Sequence, residues 1–167
     1  MARQRSPDML QTALVVVGAL ACCPSLASAQ VDFSGDWELV EGSAAGALSS
    51  PLFRAAHVDQ AGATLTIAPT PAQPLFEAPR VFRLDGTETQ YTHGNARGDE
   101  TWVLVSRAHW KDASLQITTK TTRPGTGTWE SQITLSLDDR GQMVIVTQEP
   151  TLTGGVAMAR LVYRRKR

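Results

Sequence analysis

The chain has 167 residues, with 16 basic and 16 acidic side chains and two cysteines. A balanced charge argues against a dedicated nucleic-acid binder, which needs a basic face to displace counterions. Both cysteines, Cys22 and Cys23, lie ahead of Gln30, so the chain beyond that point has no disulfide or thiolate chemistry to draw on.

At the start, Arg3 and Arg5 precede an apolar run from Ala13 to Cys23, and Ala27-Ser28-Ala29 makes a small-x-small site ahead of Gln30. This is the order of a secretory signal. A membrane span needs about 20 apolar residues, and this run is about half that. Residues 1–29 are therefore expected to be removed after Ala29, releasing a periplasmic or secreted protein with no stable membrane insertion. Lipidation fits less well, because Ala19 stands three before Cys22 and Cys22 itself directly precedes Cys23.

Residues 30–167 make a single domain, large enough to bury roughly two thirds of its surface without a disulfide or metal staple. Without Arg3, Arg5 and Asp8 the balance is 14 basic to 15 acidic side chains, a net charge of −1. The one charge run, Arg164-Arg165-Lys166-Arg167, reads as a solvated tail before it reads as a contact for anionic lipid.

Beyond Gln30 the apolar pattern has a period of two, and no long stretch keeps a helical period. Strands are expected at 36–41, 57–60, 64–68, 80–84, 87–91, 100–110, 114–122, 128–137, 143–148 and 159–164. Asp85-Gly86 suits the positive φ of a tight hairpin, and Asp138–Gln142 a longer loop with Gly141 in the left-handed position. Ser50-Pro51 ahead of Leu52–Ala56 reads as an N-cap, a first-turn proline and a short helix near 51–56. Residues 69–79 form a proline-rich loop. Short links mean antiparallel neighbours. The fold class is all-β: an antiparallel meander of about 8–10 strands, closed into a small barrel, with a two-sheet sandwich as the alternative.

Asp32-Phe33-Ser34-Gly35-Asp36-Trp37, together with an arginine after the last strand, resembles the shared signature of the calycin barrels, which include the lipocalins. More closely, the Asp-Phe-x-Gly-x-Trp start, His109-Trp110-Lys111-Asp112 and the Val162-Tyr163-Arg164 end are similar to small secreted lipocalin-like bacterial proteins of unsettled function. The resemblance implies that Trp37 plugs one barrel end, that Gly35 opens the motif, and that Arg164 (Arg160 second) packs over Trp37. The second lipocalin motif, Thr-Asp-Tyr, is absent, and little chain precedes Trp37 to close the base.

No constellation nominates an enzyme. His57, His93 and His109 lack metal-ligand spacing, so neither a metal nor a cofactor is expected. Asp99-Glu100 are neighbours that point apart on an extended chain, and Asp138-Asp139 sit in a hairpin turn that favours Asp for its own hydrogen bonds, so neither makes an acid–base pair. The Gly-x-Gly of Arg123–Thr128 precedes a strand rather than the helix that a phosphate loop needs.

The aromatic residues carry more. Trp102, Leu104, Ser106, Ala108 and Trp110 share one strand face; Leu115, Ile117, Thr119 and Thr121 share the next; Trp129, Ser131, Ile133, Leu135 and Leu137 share a third. An inward-facing Trp102, Ser106, Trp110, Trp129 and Ser131 would line a pocket for a small, largely apolar molecule. The same residues would equally fill a solid barrel, since an eight-stranded one is only just wide enough for its own side chains. Two functions follow: a carrier or sensor of a small apolar ligand, or an inhibitor acting on an exported hydrolase through its N-terminus or the 69–79 loop.

Overall fold

In a computed structural model, residues 30–45, 53–70, 79–94, 101–151 and 153–167 are described. The expected signal segment, Ser50–Leu52 at the start of the expected capped helix, most of the 69–79 loop and Asp99-Glu100 lie outside them.

Ten strands follow in chain order: β1 (Gly35–Ala45), β2 (Ala55–Ala61), β3 (Thr64–Pro69), β4 (Arg80–Arg83), β5 (Thr89–Gly94), β6 (Thr101–Lys111), β7 (Ser114–Arg123), β8 (Gly127–Leu137), β9 (Met143–Pro150) and β10 (Val156–Arg165). All pair antiparallel in one sheet, ordered β4-β3-β2-β1-β10-β9-β8-β7-β6-β5. The first and last strands are thus zipped together, with Trp37 opposite Arg165 and Ala45 opposite Met158. The sheet rolls until its two edges, β4 and β5, touch, giving a nearly closed barrel.

Two expectations change. Among the described residues no backbone ladder joins β4 to β5, so Asp85-Gly86 does not close a hairpin. Gly86 does take a positive φ of 81° and the Asp85 carboxylate does accept from Thr87 N. The bend turns the chain but leads it from one sheet edge to the other. The helix near 51–56 is also absent from its described part: Phe53 and Arg54 are not helical, and Ala55 already begins β2. The backbone bonds Leu39 N to Arg54 O and Thr70 N to Ala55 O hold this stretch extended, outcompeting the local capping signal.

The long strands carry the core. Leu115, Ile117 and Thr119 are buried on β7, Ser131, Ile133 and Leu135 on β8, and Met143, Ile145 and Thr147 on β9, each set at the period-two spacing of one strand face. Phe33, Trp37, Val58, Leu65, Leu115, Leu135 and Tyr163 join them in one continuous cluster.

Candidate functional site

The base of the barrel is built by the Asp32–Trp37 motif. The Asp32 carboxylate accepts from Ser34 N at 2.8 Å, a local turn that swings Phe33 beneath the barrel. Phe33 and Trp37 are both fully buried; the Trp37 indole donates to Phe33 O at 2.8 Å, and the Phe33 ring stacks on Trp110, centroids 5.9 Å apart. Gln60 secures the lead-in, accepting from Phe33 N and donating to Val31 O. Among the described residues, Val31–Ser34 ahead of the first strand thus help to close the base.

The cation over Trp37 is Arg165, with its guanidinium 5.0 Å from the ring centroid, and not Arg164. The register explains the correction. Arg165 stands directly opposite Trp37 on the neighbouring strand, whereas Arg164 stands opposite Glu38, alternates to the outer face and pairs with the Glu38 carboxylate. Arg160 also faces outward, toward Glu41.

The inner wall is read most simply along rows of strand partners. Toward the base run Trp110, Leu115, Leu135, Ile145 and Leu161, all apolar. Above them lie Ala108, Ile117, Ile133 and Thr147, then Ser106, Thr119 and Ser131, and then Leu104, Thr121 and Trp129. Trp102 and Arg123, whose guanidinium lies over the indole, end the series. The lowest of these rows is hydrocarbon; those above it carry the buried hydroxyls of Ser106, Thr119, Thr121, Ser131 and Thr147. Ser106 and Thr119 hydroxyls bond at 2.8 Å, and Ser131 Oγ donates to Thr119 O at 3.4 Å.

Of the five residues expected to line a pocket, four come together. Trp102 and Trp129 meet edge to face at 6.2 Å, Arg123 lies over the Trp102 ring at 4.9 Å, and Ser106 and Ser131 flank Thr119 just below. Trp110 shares their face but stands eight residues along β6 from Trp102, about 26 Å of extended chain. Its ring belongs to the base, against Phe33.

Arg80, which the pattern reading did not single out, lies within this wall. On β4 it alternates with exposed Val81 (46%), so it shares a face with buried Phe82. It lines two small interior spaces. One, about 10 Å³, is bounded by Phe53, Ile67, Phe82, Ile117, Ile133, Leu135 and Ile145; the other, about 20 Å³, by Phe82, Thr89, Tyr91, Leu104, Ser106 and Thr119. Each is roughly the room of one water molecule. Burial pushes the Arg80 guanidinium below the usual arginine range, against the opposing attraction of Tyr91 and Glu149. The signal for it was present: an arginine at the inward position of an Arg-Val-Phe-Arg strand.

The remaining candidates resolve as structure. His57 pairs with Asp36 at 2.9 Å on the surface, and the Asp138 carboxylate accepts from Arg140 N and Gln142 N within its turn. Among the described residues no group of three or more His, Cys, Asp or Glu side chains is placed to hold a metal ion. An open cleft of about 660 Å³ at the base is lined by Glu38, Arg140, Gln142 and Arg164–Arg167. Its cations are exposed and screened by solvent, unlike Arg80.

Neither a known family model nor a curated protein sequence matches the chain.

Proposed function

We propose that the protein is an exported, lipocalin-like barrel that binds a small, largely apolar molecule in the mouth half of its interior, between Trp102, Ser106, Trp129 and Ser131. The observation that carries this reading is the split in polarity along the barrel axis. The base half is hydrocarbon packed to exclusion of solvent. Five buried hydroxyls lie in the other half, with Ser106, Thr119 and Ser131 joined in one hydrogen-bonded set, a polar network that a purely apolar core does not require. Departures from folding rules of this kind collect where a protein acts. The unpaired β4–β5 edge supports the same reading: two strands that touch without a backbone ladder can part without breaking one, which opens a way into an otherwise tight interior.

The test is a titration with the neutral fluorescent probe N-phenyl-1-naphthylamine. The wild-type protein is expected to bind it saturably. Ser131→Leu, which adds hydrocarbon beside Thr119 and Trp129, is expected to weaken binding by about tenfold or more while the protein stays folded by circular dichroism. Saturable binding unaffected by Ser131→Leu would locate the probe elsewhere. No wild-type binding would sink the carrier reading and leave a filled barrel that acts through its surface.

A further inference from the structure

We propose that the open cleft at the base binds clustered phosphates, two or more linked or neighbouring groups, through Arg140 and the Arg164–Arg167 run. Arg165 covers Trp37, so this cleft opens outside the packed core, at the opposite end from the mouth. It does not depend on what the interior binds.

The chain as a whole is neutral, with 16 basic and 16 acidic side chains, yet the cleft gathers five cations against one carboxylate, a surplus of four. Like charges brought together repel, so the fold gains nothing from the gathering itself. Nor is Arg164-Arg165-Lys166-Arg167 the loose solvated tail that its composition suggests. Arg164 and Arg165 still belong to β10, opposite Glu38 and Trp37. The pairing continues past the strand end, where Lys166 N donates to Asp36 O at 2.7 Å. The fifth cation arrives from elsewhere in the chain. Arg140 stands in the turn between β8 and β9, which the Asp138 carboxylate braces by accepting from Arg140 N at 2.9 Å and Gln142 N at 2.8 Å. Two separately braced walls thus present cations to one space of about 660 Å³.

The nearby carboxylates are engaged locally: Glu38 with Arg164, Asp36 with His57, Asp32 with Ser34 N and Asp138 with its own turn. Each cation of the cleft is exposed, and singly an exposed cation is screened and binds weakly. Several turned on one space act together when the ligand itself carries several charges. A single carboxylate would leave most of the surplus unmatched. Linked phosphates match it, because each brings acceptor oxygens that an arginine fork grips in pairs, and four of the five cations are arginines. The volume lies within the range of about 300–1,000 Å³ usual for small-ligand sites, so the cleft admits a compact group as well as touching a flat surface. A free polyphosphate and a lipid headgroup with more than one phosphate present the same chemistry.

The experiment titrates the protein with tripolyphosphate and with orthophosphate by calorimetry, and sediments it with phosphatidylcholine vesicles made with and without cardiolipin. Saturable binding is expected to tripolyphosphate, at least about tenfold tighter than to orthophosphate, or to the cardiolipin vesicles. Arg140→Gln combined with Lys166→Gln, which takes one cation from each wall, is expected to weaken that binding by about tenfold or more. Arg107→Gln combined with Arg160→Gln removes the same charge from the outer face beyond the cleft and is expected to leave it unchanged. Binding of tripolyphosphate assigns a free polyphosphate as ligand; binding of cardiolipin vesicles alone assigns a headgroup. Binding of neither overturns the proposal. So does orthophosphate bound as tightly as tripolyphosphate, or binding that survives in the cleft variant. An equal loss in both double variants also overturns it, because the attraction would then belong to overall charge and not to the cleft.

Discussion

Gly35 has a φ of 130°, a region that side chains strongly disfavour, and a Cβ built on it would lie 3.3 Å from Arg165 Nε. The glycine thus lets the backbone turn into β1 and leaves room for the guanidinium that covers Trp37. Phe33 completes the group from below by accepting the indole proton. Truncating Trp37 to Ala is expected to cost about 3–5 kcal/mol, a large part of a domain's stability. In a double-mutant cycle read by chemical denaturation, Trp37→Ala and Arg165→Ala are expected to couple by about 0.5–1 kcal/mol, while Arg164→Ala is additive with Trp37→Ala. Coupling through Arg164 instead would contradict the observed register. The motif itself was legible in the sequence, but the choice between two adjacent arginines was not, because it depends on how β10 is set against β1.

At the scale of the strands, alternation marked the segments, since strands such as β3, β7 and β8 bury one face and their period-two burial is visible in the residues themselves. The pairing across Asp85-Gly86 was not legible. A bend between two strands looks the same whether they then pair or part, and only the roll of the whole sheet separates β4 from β5. A second link between strands joins distant parts of the chain: Tyr163 on β10 reaches past β1 to donate its hydroxyl to Phe53 O at 2.8 Å, anchoring the lead-in to β2. Burial raises the Tyr163 phenol from 10.0 to about 12. The proton is therefore held more tightly in the folded chain than in the unfolded one. Stability is expected to be indifferent to this group below pH 10 and to fall by about 1.4 kcal/mol per pH unit as pH rises from there toward the folded-state value. Urea denaturation at pH 9, 10 and 11 checks this against Tyr163→Phe, which should lose that slope. The same variant leaves the Phe53 carbonyl buried without its donor and is expected to cost about 1–3 kcal/mol at neutral pH.

For the whole molecule, the polarity of the interior divides the barrel into a part that holds it together and a part left for something else. The sequence showed the hydroxyls and tryptophans on common faces but not which end of the barrel each occupied. Trp110 looked like a neighbour of Trp102 because alternation records the face and not the height. Arg80 was passed over because its neighbours come from β5, β6 and β7, beyond the reach of any local pattern. The central claim, that the mouth half binds and the base half does not, has a reporter on each side, because the chain's four tryptophans divide two and two. Trp37 and Trp110 stand at the base, Trp102 and Trp129 at the mouth. The indole N–H signals of all four, assigned by single Trp→Phe variants, should be followed by NMR during titration with N-phenyl-1-naphthylamine. The account predicts saturable shifts of Trp102 and Trp129 with Trp37 and Trp110 unmoved; shifts confined to the base pair, or no saturable shift at any of the four, would contradict it.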